Sequence, residues 1–417
     1  MPSGCGADAP PAVKGEEVPM SRSGVTAPRG FMAAGVACGL KKNGNPDLAV
    51  VLSETPASVA GVFTTNVVKG HSLQWSRRNV AGGVARVVAI NSGCANACVG
   101  EDGDRDAAAF AGLVAERAGC PVEQAFIGST GVIGYRLDLT KIEKGLDAAF
   151  ARISPDGGIE AATAVMTTDT FRKEAEAVFD AQGHEVRIGG FAKGSGMIHP
   201  NMATMISILT TDLCISAPML DKALRTVVER SYNRVSVDGD TSVCDKVLLL
   251  ANGQAGNAPV DAEGPVFEAF VEALAEVAVT LSKMLARDGE GATKLIELRL
   301  EHSPDAATAK TVLQSVAKSP LVKTMFFGED ANLGRILTAM GYSGASFDPS
   351  RVDILLGDVQ VCRNGTFMPF DEAAALAVLK EREIIVTIDM HAGDVQDRMW
   401  TCDLTYEYVK INGAYRT

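Results

Sequence analysis

Lys193-Gly194-Ser195-Gly196-Met197-Ile198-His199-Pro200-Asn201-Met202-Ala203-Thr204-Met205 is a glycine-rich, polar stretch that runs directly into the apolar segment Met205-Ile206-Ser207-Ile208-Leu209. Glycines and a proline suit a turn, and the β-branched run that follows suits a strand. The stretch therefore delivers Thr204 to the start of a strand, where a threonine commonly sits for reasons of shape alone. Outward from it, Leu48-Ala49-Val50-Val51-Leu52 and Val87-Val88-Ala89-Ile90 are further short strand-type runs, the second followed by the turn residues Asn91-Ser92-Gly93. Apolar positions three and four apart predict amphipathic helices over Asp106 to Ala118 and Ala217 to Glu229. Pro265 opens a longer helical pattern through Phe267, Phe270, Leu274, Val277, Leu281 and Leu285, which Asp288-Gly289-Glu290-Gly291 terminates. Glu290 thus falls on a loop at a helix end. Lys294 to Leu300 reads as a strand and Glu372 to Lys380 as a helix. The mixture is α+β, with no internal repeat.

Composition narrows the class. The chain has 417 residues, 47% of them hydrophobic, and a formal charge of −12. That is enough apolar material for a large core, while the acidic balance opposes the phosphate neutralisation on which nucleic-acid binding depends. No apolar run approaches the roughly 18 residues of a membrane span; Val247 to Ala251 is soon stopped by Asn252 and Gly253. Residues 1–24 are rich in Pro, Gly and Ala without a secretory core, so they read as a flexible lead in which Met20 is a candidate start. A cytoplasmic setting is the expectation. Nine cysteines show no Cys-x-x-Cys spacing, and the closest pair, Cys94 and Cys98, reads as buried small apolar residues. Five histidines are scattered, so a metal centre or a histidine-based triad would need distant segments, and no metal is expected. Gly-x-Ser-x-Gly, His-Glu-x-x-His and phosphate-loop motifs are all missing, and Gly194-Ser195-Gly196 lacks the third glycine of a dinucleotide fingerprint.

A resemblance adds to this reading. The stretch around Thr204 matches every fixed position of the Lys-Gly-x-x-Met-x-x-Pro-x-Met-Ala-Thr-Met signature of the ornithine acetyltransferase (glutamate N-acetyltransferase) family. The match extends to Val25-Thr26-Ala27-Pro28-Arg29-Gly30-Phe31, Gly61-Val62-Phe63-Thr64-Thr65-Asn66, Thr167-Thr168-Asp169-Thr170, Val237-Asp238-Gly239-Asp240-Thr241-Ser242 and Phe327-Gly328-Glu329-Asp330. Cys244 departs from it, standing where the family's Thr-Ser-Thr-Asn-Asp run has asparagine.

The resemblance implies a layered αββα sandwich over residues 25–300, with a smaller C-terminal α/β domain over 301–417 that completes the substrate site. It implies self-cleavage between Ala203 and Thr204, giving an α chain of residues 1–203 and a β chain of 204–417 that pair as an α2β2 heterotetramer. Thr204 becomes the nucleophile, and its freed α-amine, with an ordinary pKa of about 7.7–8.0, is suited to act as general base. The activity implied is ping-pong transfer of acetyl from N2-acetyl-L-ornithine to L-glutamate, an acyltransferase step of arginine biosynthesis that uses no cofactor. Whether acetyl-CoA is a second donor stays open.

By the same resemblance Thr130 and Gly131, in Gly128-Ser129-Thr130-Gly131-Val132-Ile133-Gly134, form the oxyanion hole, and Thr167, Lys193, Thr204, Glu290, Asn412 and Thr417 contact substrate. Lys193 is expected to face a substrate carboxylate and Glu290 the ammonium of ornithine. Read from the residues alone, Gly128 to Gly134 is a plain glycine turn, Lys193 a solvated lysine, Glu290 a surface acid, and Asn412 a turn residue near a frayed terminus. A C-terminal extension is expected to disturb the site; equal activity of tagged and untagged enzyme would remove that expectation. Two other functions compete: a related self-cleaving amidase with water as final acceptor, and an uncut, non-catalytic binding protein.

Overall fold

β2 (Leu48–Phe63), at 16 residues, is too long to serve one layer, and the rest of the main domain is built around its bend. The computed structural model describes residues 22–199 and 205–414. The first half of β2 pairs antiparallel with β1 (Phe31–Val36) and with β3 (Val84–Cys94), and β3 pairs in parallel with β4 (Ala125–Val132). Its second half pairs antiparallel with β9 (Lys246–Ala251), which continues through β7 (Ile206–Thr211) and β6 (Glu185–Lys193) to β5 (Lys173–Asp180). The β2–β3 register slips between Leu52 and Ala57, where β2 turns from one layer into the other.

The packing of alternate residues shows the result. Ala49, Val51, Val88, Ile90 and Phe126 of one half share a buried cluster with Phe191, Ile206, Ile208, Leu248 and Leu250 of the other. The opposite faces carry helices. Val50, Val87, Ala89 and Ile127 pack with α2 (Glu101–Ala118) and α3 (Leu139–Arg152), α1 (His71–Asn79) lying beside β4. Ile188, Leu209, Val247 and Leu249 pack with α5 (Ala217–Arg230) and α6 (Pro265–Arg287), while α4 (Gly158–Ala164) closes the sandwich beside β1. The expected αββα sandwich is therefore present, made by one sheet folded over on itself. α6 buries Phe267, Phe270, Leu274, Val277, Leu281 and Leu285 along one face, at about 1.5–3 kcal/mol per side chain. Its start at Pro265 and its end before Asp288 agree with the sequence reading.

A second sheet runs β13 (Thr366–Phe367), β12 (Val359–Arg363), β11 (Asp353–Leu356), β14 (Glu383–Asp389), β10 (Leu295–Ser303), β15 (Val395–Cys402) and β8 (Val235–Ser236). Its core is closed by α7 (Ala306–Lys318), α8 (Pro320–Phe327), α9 (Gly334–Gly341) and α10 (Glu372–Lys380). β10 crosses residue 300, so a division at 300/301 falls inside a central strand of this sheet, and β8 from the first part of the chain sits at its edge. α11 (Tyr406–Ala414) contains Asn412 within a helix, where residue type alone had suggested a turn. Among the described residues no helix is long and apolar enough to cross a membrane.

Candidate active site

β4, β6, the α6 end and α11 converge on one cavity of about 250 Å³. Thr130, Gly131, Thr167, Lys193, Glu290 and Asn412, singled out separately in the sequence, all line it. Ala203, Thr204 and Thr417 lie outside the described residues. Among the described residues, β7 begins at Ile206, paired with Lys193 of β6.

Lys193 is held, not solvated. Its side chain is 9% exposed, and its Nζ donates to Thr167 Oγ1 at 2.8 Å and Thr130 Oγ1 at 3.3 Å, with the nearest carboxylate, Asp169, at 4.0 Å. The ammonium therefore points into the cavity with its charge only loosely compensated. Asp169 in turn accepts the backbone N–H groups of Thr167 at 2.9 Å and Gly194 at 2.7 Å and the Nζ of Lys173 at 2.7 Å. Burial alone would raise the Asp169 carboxyl, but Lys193 and Lys173 outweigh it and hold the group well below the usual carboxylate range. Lys173, fully buried on β5, also reaches Asp288 at 2.5 Å. Asp288 takes hydrogen bonds from the backbone and hydroxyl of Thr170, and its carbonyl accepts from Ser195 Oγ at 2.6 Å. One buried triad, Asp169–Lys173–Asp288, thus ties the 167–170 loop, the 193–196 loop and the α6 end together. Lys173 carries no motif in the sequence and Asp288 stood there only as a helix terminator; the signal for the triad was Asp169 in the Thr167-Thr168-Asp169-Thr170 segment.

Glu290 lines the same cavity from the end of α6. Its N–H donates to the Ser195 carbonyl at 3.0 Å, and its Oε2 accepts from Asn412 Nδ2 at 2.7 Å. Gly196 lets it approach: a Cβ there would lie 2.4 Å from the Glu290 carboxylate. One helical turn before Asn412, Tyr408 donates to Asp238 at 3.4 Å, and Asp238 caps the N–H groups of Met197 and Ile198. Burial pushes the Asp238 carboxyl up against those bonds, and pushes the Tyr408 hydroxyl up as well, with Asp238 adding to it. Glu290 is therefore buried in the wall, with the exposed Asn412 hydrogen-bonded to it at the cavity's edge.

At the third wall Gly131 has φ +123°, and a Cβ there would meet the Gly93 carbonyl carbon at 2.6 Å and the Cys94 nitrogen at 2.8 Å. Only glycine fits, which is more than a plain turn demands. Cys244 also lines the cavity; burial, with Asp245, pushes its thiol up to about 12, so it contributes a neutral, weakly polar surface where the family pattern has an amide. His199, the histidine adjoining this region, is driven down to about 4 by burial and by Lys318, so it is neutral at pH 7.

Elsewhere one histidine meets a distant Asp-x-His pair after all. His302 Nδ1 lies 2.9 Å and His391 Nδ1 3.3 Å from the two oxygens of Asp389, a donor set able to hold a metal ion but half exposed and lining no part of the cavity. An ammonium, a carboxylate and a strained glycine backbone around a small cavity, by contrast, suit an α-amino acid carrying a reacting carbonyl.

Comparison with known proteins identifies the family. The profile of the ArgJ family matches residues 32–417. The arginine biosynthesis bifunctional protein ArgJ of Symbiobacterium thermophilum is 52% identical over 396 residues, covering 94% of this chain and 98% of that one. Its counterpart from Caldanaerobacter subterraneus is 48% identical over 394 residues, with 94% and 98% covered. The crystal structure of arginine biosynthesis bifunctional protein argJ from Bacillus halodurans superposes with a TM-score of 0.50 at 39% identity, spanning 51% of this chain and 100% of that one. The chain belongs to the ArgJ family.

Proposed function

We propose that this acyltransferase of arginine biosynthesis moves acetyl from N2-acetyl-L-ornithine to L-glutamate through an ester on Thr204, freed by cleavage after Ala203. The observation that carries the reading is the meeting of Thr130, Gly131, Thr167, Lys193, Glu290 and Asn412 around one cavity beside the start of β7.

In the maturation step the Thr204 hydroxyl attacks the Ala203 carbonyl, the peptide C–N bond breaks as the C–O bond forms, and water opens the resulting ester. The product is a new carboxylate on Ala203 and a free α-amine on Thr204. That amine takes the hydroxyl proton as the oxygen attacks the acetyl carbonyl of acetylornithine. The oxyanion is held by Thr130 and the Gly131 N–H, and collapse returns a proton to the departing ornithine amine. Glutamate's amine then attacks the acetyl-Thr204 ester by the reverse sequence. Lys193 holds the substrate carboxylate and Glu290 the distal ammonium of ornithine, consistent with their opposite charges at one cavity. Every step uses groups of the chain and its substrates, so the scheme calls on no cofactor. Acetyl-CoA, as a second donor, would share the nucleophile, and the relatives' bifunctional name makes thiol release from it worth assaying.

Two features support the cut chain. β7 lies between β6 and β9, and β2 pairs with β9, so residues 1–203 and 204–417 share one sheet and would stay joined after cleavage. The solved Bacillus halodurans chain is matched over its whole length by about half of this one, as a piece ending or beginning at 203/204 would be. The main and C-terminal domains would then each draw on the second piece, and protomers pairing as α2β2 in the cytoplasm complete the proposal. The test is intact mass under denaturing conditions: two fragments split before Thr204 in the wild type, an uncut Thr204→Ala chain, and ornithine release only from the former. A single uncut wild-type chain would overturn the proposal.

A further inference from the structure

The acetyl-transfer scheme sends two unlike side chains through one site: the donor's ends in an ammonium, the acceptor's in a carboxylate. Glu290 serves the first and repels the second, so a carboxylate side chain needs a different wall. A second cavity, of about 560 Å³, adjoins the first across Thr167, which lines both. Gly93 of β3 lines the second cavity directly opposite its ladder partner Gly131, which lines the first. Over Gly93 lies Lys41, whose Cγ would sit 3.4 Å from a Cβ placed on that glycine.

Lys41 is unusual among the lysines of this region. Its Nζ donates to the carbonyl of Pro46 at 2.7 Å and lies at 3.5 Å from that of Ala164, and among the described residues it forms no ion pair within 4.0 Å. Asp47, the acid nearest in sequence, is occupied by the backbone N–H groups of Cys38 and Lys41 at 2.7 and 2.8 Å. Lys42, exposed, and Tyr135 stand at the same cavity. We propose that this second cavity is the side-chain subsite for a dicarboxylic acceptor, with the Lys41 ammonium anchoring the distal carboxylate, so that Lys41 selects the acceptor without touching the donor's side chain. Burial, with Asp47 opposing it and Lys193 adding to it, pushes the Lys41 ammonium down to about 8, and a docked carboxylate would supply the counter-charge it lacks.

This rests on the acetylornithine-to-glutamate reading, and the experiment separates the two. Self-cleaved wild type, Lys41→Met, Lys41→Gln and Lys41→Arg are first compared in melting temperature. Acetyl-enzyme formation is then followed by rapid-quench ornithine release without acceptor, and transfer with glutamate or with its neutral isostere glutamine. The expected result is a rise of about tenfold or more in KM for glutamate in the Met and Gln variants, the weight of one charge-assisted hydrogen bond. Their preference for glutamate over glutamine should shrink by a similar factor, with the acetylornithine KM and the ornithine burst within twofold of wild type and Lys41→Arg within threefold throughout. Unchanged glutamate KM and preference in a folded Met or Gln variant, or equal damage to both half-reactions, would overturn the proposal. Wild type that releases no ornithine from acetylornithine would instead bring down the function reading, and this inference with it.

Discussion

Replacing Lys173 by methionine should do more damage than any surface change in the protein. The substitution keeps the length of the side chain and removes one ammonium from between two carboxylates, Asp169 at 2.7 Å and Asp288 at 2.5 Å, in a place where all three side chains are 0–2% exposed. Removing one partner of a buried ion pair costs about 3–5 kcal/mol, because the remaining charge is left uncompensated. Here Asp169 keeps Lys193 at 4.0 Å and two backbone donors, so the burden falls on Asp288, which keeps only Thr170. At about 2–4 °C per kcal/mol the melting temperature should fall by on the order of 10 °C. Because the triad also holds the 193–196 loop, kcat for acetyl transfer should drop well below that of an equally destabilised variant elsewhere. Thermal melts with a transfer assay at 20 °C decide it. A Lys173→Met enzyme that melts within about 2 °C of wild type would refute the reasoning.

Gly131→Ala forces a Cβ against backbone at 2.6 Å, where ordinary contact begins near 3.4 Å; strain of about 1–3 kcal/mol and a displaced oxyanion donor should lower kcat about 10²–10³-fold with KM little changed, and a variant within threefold of wild type would count against Gly131 as an oxyanion donor. Asn412→Leu removes the 2.7 Å donor to Glu290; kcat/KM for acetylornithine should fall roughly 10-fold, the weight of a hydrogen bond to a charged group, while the melting temperature stays within about 2 °C, and unchanged kinetics would release Asn412 from the site. Burial raises the Glu297 carboxyl, but hydrogen bonds from Trp400, Arg299 and Lys283 bring it down to about 2. A folded pKa depressed in this way contributes stability above the unfolded value near 4.3, and that contribution is lost as pH falls through about 2. The melting deficit of Glu297→Gln should therefore be full at pH 7 and shrink steadily below pH 4, and a deficit constant from pH 7 to pH 3 would contradict it.

How much of this was legible depends on the distance over which each feature is decided. The helix over Pro265–Arg287 could be read closely because its determinants are local: a proline at the first turn, a 3.6-residue apolar stripe, and Asp288-Gly289 after it. The strand after Thr204 and the loop position of Glu290 were local in the same way. The family signature brought the site residues by resemblance, and no period or spacing would have joined Thr130 to Asn412.

The sandwich itself needed the bend of β2, whose two halves face different partners; Ser53-Glu54-Thr55-Pro56 interrupts the apolar run at that place, but does not say that the two halves enter different layers. Asn412 read as a turn because asparagine and the following Gly413 are poor helix formers; the hydrogen bonds of Tyr408 and Asn412 to Asp238 and Glu290 override that weak preference. Lys173 reads as one more lysine on a strand that alternates polar and apolar residues. The close approach of Asp288, 115 residues away, together with Asp169, makes burying its charge tolerable. By itself the sequence determined the elements, the class and, through its motifs, the family. The tertiary structure alone decided which charges are paired, which are left facing the cavity, and how one sheet makes two layers, because Coulomb energy and desolvation depend on distances in space that the order of residues does not contain.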